Sequence, residues 1–368
     1  MAYPWSVRPL VESFEPYQPG LSMEEIRQRY GLSKVVKMAS NENPFGVSPK
    51  VAEVIRNTAA QAHRYPQSGN PRLVRALASY YAVDAKRIVV GNGSDEIIDL
   101  LIRVKAEPGI NNVVAFQPCF GLYTTQTVFH GCELRQTPLN SDFTHDFDGL
   151  LSQVDENTSL VLITSPDNPS GRLAPREKIL EFAHKLPEGC LLVVDEAYIE
   201  FAGAPDKVSV IGDLDTMPNL AVMRTFSKVY ALAGLRIGYI ILPEHLADCM
   251  WRVRLPFSLN IIAQEAAIAA LTDAPFREKS IAQAEKGRAW LTEKLTALGF
   301  EVIPSHSNFI MVKPPCSPKD LNAYLLENGY IIRSLSSYGL PEYLRISVGT
   351  DDDNHELISL ISSFPGLK

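Results

Sequence analysis

Leu191-Leu192-Val193-Val194-Asp195-Glu196-Ala197-Tyr198 sets four consecutive apolar residues before an acid. A strand with one wet face alternates apolar and polar residues. An unbroken apolar run is what a strand needs when helices cover both faces of a parallel sheet. Strand-like runs recur at 87–91, 112–117, 160–164, 220–224 and 237–242, and helical patterns fall between them near 94–105, 175–185 and 244–254. The alternation predicts an α/β fold with an open, mostly parallel central sheet and helices on both faces. Past Pro256 the texture changes. Two long helical patterns, about 261–272 and 276–298, precede strand-like segments near 308–312, 330–334 and 343–348. This predicts a smaller α+β domain over 256–368, a large domain over 46–255, and an arm over 1–45 that packs with the small domain.

The chain's 368 residues are enough for two cores. Its 35 Lys+Arg against 42 Asp+Glu leave a net charge of −7, which supplies no basic surface for nucleic acid. No run approaches the roughly 18 apolar residues of a membrane span. The start, Met1-Ala-Tyr-Pro-Trp-Ser-Val-Arg8, lacks a basic region followed by an apolar stretch, so neither a membrane nor a secretory signal is expected, and a cytoplasmic location is. Five scattered cysteines (Cys119, Cys132, Cys190, Cys249, Cys316) form no CxxC pair and fit reduced thiols. With no HExxH helix either, no metal is expected.

In open α/β sheets, ligands sit beyond the carboxyl ends of the strands. Asp195 ends one such strand, and an acid there can serve a metal, a ribose hydroxyl or a protonated ring nitrogen, or merely cap a helix. The next strand runs into Arg224-Thr225-Phe226-Ser227-Lys228. A lone loop lysine is usually a surface residue; this one is framed by two hydroxyls just after a buried strand. An electron-sink cofactor needs an amine to form an imine and a carboxylate to keep a pyridine nitrogen protonated. Its phosphate needs donors, and Arg236, Thr225 and Ser227 are available. A second phosphate cradle is Gly91-Asn92-Gly93-Ser94-Asp95-Glu96, between a strand and a helix start. A dinucleotide fingerprint would need glycine at 96, where Glu96 stands.

Taken in order, Asn41-Glu-Asn-Pro-Phe-Gly46, Gly91-Asn-Gly-Ser-Asp-Glu96, Ser165-Pro-Asp-Asn168-Pro-Ser-Gly171, Asp195-Glu-Ala-Tyr198 and Thr225-Phe-Ser-Lys228 resemble the fold-type I pyridoxal-phosphate-dependent aminotransferases. Within that superfamily the chain is most similar to the histidinol-phosphate aminotransferases. The resemblance implies pyridoxal 5′-phosphate as cofactor, joined to Lys228, which then moves a proton between substrate and cofactor. It implies Asp195 at the pyridine nitrogen, Tyr198 and Asn168 at the 3′ oxygen, and Phe120 stacked on the ring. Ser94, Asp95, Thr225, Ser227 and Arg236 hold the phosphate by the same resemblance, and Tyr65 reaches the phosphate of the neighbouring subunit of a homodimer. The chain departs from the family pattern at Ser165 and Asp167, where asparagines are usual.

For the substrate, Arg333 in Tyr330-Ile-Ile-Arg333 and Arg345 in Tyr343-Leu-Arg345 sit in strand-like segments where alternation can aim them at the cleft. One arginine suffices for a carboxylate; a pair suits a phosphate. Tyr17 resembles a family tyrosine that helps enclose that phosphate. The implied reaction is L-histidinol phosphate with 2-oxoglutarate, giving imidazole acetol phosphate and glutamate, a step of histidine biosynthesis. An aromatic amino-acid aminotransferase and a threonine-phosphate decarboxylase remain as alternatives with the same cofactor residues.

Overall fold

The computed structural model of the chain describes residues 7–12, 14 and 22–367. Seven strands form the main sheet: β1 (Ile88–Asn92), β2 (Asn112–Gln117), β3 (Glu133–Pro138), β4 (Thr158–Thr164), β5 (Leu191–Asp195), β6 (Leu220–Thr225) and β7 (Ile237–Ile241). Their spatial order is β1-β7-β6-β5-β4-β2-β3. Only β7 runs against its neighbours; the other six share one direction. Every residue of β4, β5 and β6 is buried, the double-sided cover that their continuous apolar runs require.

The two-residue period sorts these side chains cleanly between the faces. Val114, Val161, Ile163, Leu192, Val194 and Val222 point to one side. There they meet Leu77 of the helix Pro71–Tyr81, Phe182 of Arg176–Lys185 and Ala266 of Ile261–Leu271. Val113, Ala115, Leu160, Leu162, Val193 and Met223 point to the other, against Ile97 and Leu101 of the helix Gly93–Lys105 and Met250 of Glu244–Val253. The apolar packing of the large sheet therefore continues past residue 256, through Ile261–Leu271, before the helix Ala274–Ala297 carries the chain toward the second sheet.

That second sheet is antiparallel, β8 (Glu301–Ile303), β9 (Phe309–Lys313), β10 (Arg333–Ser334) and β11 (Leu344–Ser347), in the order β10-β11-β9-β8. Leu291, Leu295, Leu321, Leu325, Leu357 and Ile361 from three helices cover it. Near the start of the chain, Val36–Lys37 pairs in parallel with Tyr330–Ile331. The edge strand β3, Glu133-Leu-Arg-Gln-Thr-Pro138, has no counterpart among the strands expected from sequence. It has a neighbour on one side only, and its polar residues suit an edge. Among the described residues no helix is long and apolar enough to cross a membrane.

Candidate active site

The shared strand direction brings the carboxyl ends of β1, β5 and β6 to one edge, and the singled-out residues follow these ends. Asp195 closes β5 with 5% of its surface exposed. Its Oδ2 accepts the Tyr123 hydroxyl at 2.8 Å and its Oδ1 accepts the Ala197 amide at 3.1 Å. Burial pushes its carboxyl up to about 6, against the pull of the Tyr123 and Ala197 bonds. Among the described residues it forms no ion pair, so a buried carboxylate stands without a direct salt-bridge partner.

Lys228 is the corresponding amine. It sits two residues past Phe226, after β6, with Nζ donating to the Ser40 carbonyl at 3.3 Å and lying 5.4 Å from the Tyr198 ring centre. Burial first, and then the Arg345 charge, lower its pKa to about 8. About a tenth of the amine is thereby neutral and nucleophilic at about pH 7, far more than for an ordinary lysine. Tyr198 is buried, with its hydroxyl oxygen accepting from Asn41 Nδ2 at 3.1 Å, which leaves its own proton to donate. Asn168 accepts through Oδ1 from Arg345, which leaves its Nδ2 as a donor.

The phosphate-type donors converge at the start of the helix Gly93–Lys105. Thr225 and Ser227 bond each other through their hydroxyls at 3.0 Å. Arg236 donates to Asp95 Oδ2 at 3.0 Å and to the Ala233 carbonyl at 3.2 Å. The Asp95 carboxylate can only accept, so toward an anion it offers its amide and its hold on Arg236. Ser94 lies in the helix's first turn, where amides lack helical partners. Two glycines make this crowding possible. Gly93 has φ +81°, and a Cβ there would lie 2.5 Å from Arg236 Nη2; a Cβ on Gly238 of β7 would lie 2.3 Å from the Ser94 amide nitrogen.

Arg333 and Arg345 are direct cross-strand partners on β10 and β11. Their side chains therefore share one face, where like charges repel unless an anion joins them. Arg345 is buried, donates to Asn168 Oδ1 and to the Ala39 carbonyl at 2.9 Å, and among the described residues has an Nε with no partner. Arg333 is half-buried with one long contact, 3.5 Å to Ser337 Oγ. Among the described residues neither forms an ion pair.

Phe120 is half-buried and edge-on to Tyr123, ring centres 5.8 Å apart. Tyr65 is 80% exposed and stacked on Phe257 at 4.6 Å. Tyr17 lies outside the described residues. Three partners of the site were not picked out from the sequence: Tyr123, Thr164, whose Oγ1 lies 2.9 Å from the Tyr123 hydroxyl, and Asn41. Tyr123 stands in the first turn of the helix that Phe120 precedes, three residues after it, and that proximity in the chain was the available signal.

The model of the aminotransferase class I and II family matches residues 33–361. The chain belongs to that family. A histidinol-phosphate aminotransferase of Nitratidesulfovibrio vulgaris is 55% identical to this aminotransferase over 358 residues, 97% of this chain and 96% of the relative. One of Halalkalibacterium halodurans is 39% identical over 97% of this chain and 96% of its own length. The crystal structure of histidinol-phosphate aminotransferase from Sinorhizobium meliloti, in complex with pyridoxal-5′-phosphate, superposes with a TM-score of 0.89 at 31% identity, covering 98% of this chain and 99% of that one. The aminotransferase has the fold-type I architecture expected from its motifs.

Proposed function

We propose that this aminotransferase transfers the amino group of L-histidinol phosphate to 2-oxoglutarate, in histidine biosynthesis, with pyridoxal 5′-phosphate joined to Lys228. The observation that carries the substrate is the arginine pair, Arg333 opposite Arg345 without a carboxylate partner among the described residues. A dianionic phosphate relieves the repulsion of two guanidiniums better than a single carboxylate does.

The residues fit the cofactor. Asp195 is a buried carboxylate without an ion-pair partner among the described residues, and a protonated pyridine nitrogen would supply one. Glycine at 93 keeps open the space beside Arg236 that a Cβ would fill. When bound, the cofactor supplies an electron sink for the substrate carbon. Asp195 holds the proton at the ring nitrogen, and Tyr123 and the Ala197 amide hold Asp195. Tyr198 through its hydroxyl and Asn168 through Nδ2 donate to the 3′ oxygen. With the cofactor bound, Lys228 Nζ would move a proton between the substrate carbon and the cofactor, and its lowered pKa suits that task. Thr225, Ser227, Arg236 and the amides of Ser94 and Asp95 grip the phosphate. Arg345 and Arg333 bind the substrate phosphate in one half-reaction and the distal carboxylate of glutamate in the other.

We read the chain as a cytoplasmic homodimer. Tyr65, Leu255 and Phe257 are exposed apolar side chains at 80%, 68% and 49%. A second copy covering them would bring Tyr65 to its partner's phosphate. The experiment is to add histidinol phosphate or phenylalanine separately to the yellow enzyme. Conversion to the pyridoxamine form at far lower histidinol phosphate concentration supports the reading; equal or better conversion by phenylalanine favours an aromatic amino-acid aminotransferase.

A further inference from the structure

Glu96 occupies the position where a dinucleotide loop would need glycine, and no cofactor role falls to it in the scheme above. Its side chain folds back over the helix start, where Oε2 accepts the Asn92 amide at 2.5 Å. The same carboxylate accepts the Ser258 hydroxyl at 2.6 Å and 2.5 Å through its two oxygens. It thus ties the Gly91–Glu96 loop to a segment more than 150 residues away in the chain.

That segment is itself tightly held. Arg254, buried, donates to Asn70 Oδ1 at 2.8 Å and to the Ser258 carbonyl at 3.4 Å. Leu259, also buried, adopts φ +102°, a conformation that a leucine keeps only when its surroundings fix it. Its carbonyl accepts from Gln264 Nε2 at 3.1 Å. The inner side of 254–259 is therefore pinned, while Leu255 and Phe257 point outward.

We infer that Glu96 is a positioning residue for the cofactor phosphate: by clamping the Asn92 amide to Ser258, it fixes the loop so that the next amides and Arg236 face the phosphate. The clamp settles which donors are left. Asn92's amide is engaged by Glu96, so the phosphate takes its backbone bonds from the first turn of the helix, at Ser94 and Asp95. A carboxylate at this site is tolerable because it stabilises the positive end of the helix while remaining bonded to donors of its own. Because Ser258 lies between Phe257 and Leu259, the clamp also joins the phosphate loop to the surface on which the proposed second subunit docks.

The inference rests on the cofactor reading above, and its test separates the two. Cofactor-free wild-type protein, Ser258→Ala, Glu96→Ala and Glu96→Gln are titrated with pyridoxal 5′-phosphate and, separately, with pyridoxal, which lacks the phosphate. Imine absorbance gives each Kd, and thermal unfolding of the cofactor-free forms is recorded alongside. Ser258→Ala and Glu96→Ala are expected to raise the Kd for pyridoxal phosphate about tenfold, the size of one charge-assisted hydrogen bond. The Kd for pyridoxal stays within about twofold, and Glu96→Gln, which keeps an acceptor for Asn92 and a donor for Ser258, recovers most of the loss. Equal losses for both ligands, or no loss for either, would overturn the positioning role. Should Glu96→Ala not fold, Ser258→Ala decides the question alone. If wild type itself takes up no pyridoxal phosphate, the cofactor reading falls and this inference falls with it; normal wild-type uptake beside unaffected variants sinks the clamp only.

Discussion

Replacing Tyr123 by Phe removes one hydroxyl and keeps the ring that packs against Phe120. That hydroxyl donates to Asp195 Oδ2 at 2.8 Å in a fully buried setting. Burial holds the Asp195 carboxyl up to about 6 in the native protein; in the unfolded chain it titrates at about 3.9. The native state therefore binds this proton more tightly, so the group's effect on the cofactor-free protein is loss of stability as pH rises from about 4 to about 6. A hydrogen bond to an ionised group is worth about 1.5–3 kcal/mol and one between neutral groups about 1 kcal/mol. Losing the Tyr123 donor thus moves the ionisation about tenfold further toward the protonated form, equivalent to about 1.4 kcal/mol. The assay is urea unfolding of cofactor-free wild type and Tyr123→Phe at pH 5 and pH 8. The variant's penalty should be larger at pH 8 by about 1.4 kcal/mol, because only there is Asp195 ionised in both proteins. Asp167 and Glu200, which burial also raises to about 6 and about 7, are common to both proteins and cancel in the comparison. An identical penalty at the two pH values would refute the reasoning.

Gly93→Ala imposes a left-handed backbone on a residue with a Cβ, costing about 1–2 kcal/mol. It also drives the Arg236 guanidinium off Asp95, so pyridoxal phosphate affinity in equilibrium titration should fall by at least tenfold while pyridoxal affinity changes little. Arg333→Ala should raise the KM for histidinol phosphate by about ten- to a hundredfold, the loss of a charge-assisted phosphate contact. The same change should alter phenylalanine turnover by less than about threefold in steady-state kinetics, and equal losses would argue against a phosphate site. The rate of covalent cofactor capture should rise with pH and level off above about 8, because the neutral amine reacts and Lys228's pKa is lowered to about 8. Stopped-flow mixing over pH 6–10 reads this directly.

Much of this was legible before any coordinates. The unbroken apolar runs ending at Asp195 and leading into Lys228 announced buried strands with chemistry at their carboxyl ends. The same rule placed the Gly91–Glu96 loop at a helix start. The polar edge strand Glu133–Pro138 was not legible, because a strand paired on one side needs no apolar run. Nor did residue types announce that Tyr123 would hold Asp195 with Thr164 beside its hydroxyl; that depends on the packing of the helix Gly121–Phe129 against β4, a contact between distant segments. The cross-strand register that opposes Arg333 to Arg345 is likewise a property of the folded sheet, since a shift of one residue would send one of them to the other face. Glu96 closed a motif of the resemblance and missed the glycine of a dinucleotide loop, but its bond to Ser258 across the chain is a property of the fold alone.

The central claim is that Lys228 joins the cofactor, and absorbance spectroscopy of cofactor-free wild type and Lys228→Ala on adding pyridoxal 5′-phosphate tests it most directly. The account predicts a yellow imine band in wild type and none in the variant, which still binds the cofactor non-covalently and shows no transamination. The same imine band in Lys228→Ala, or transamination at the wild-type rate, would contradict it.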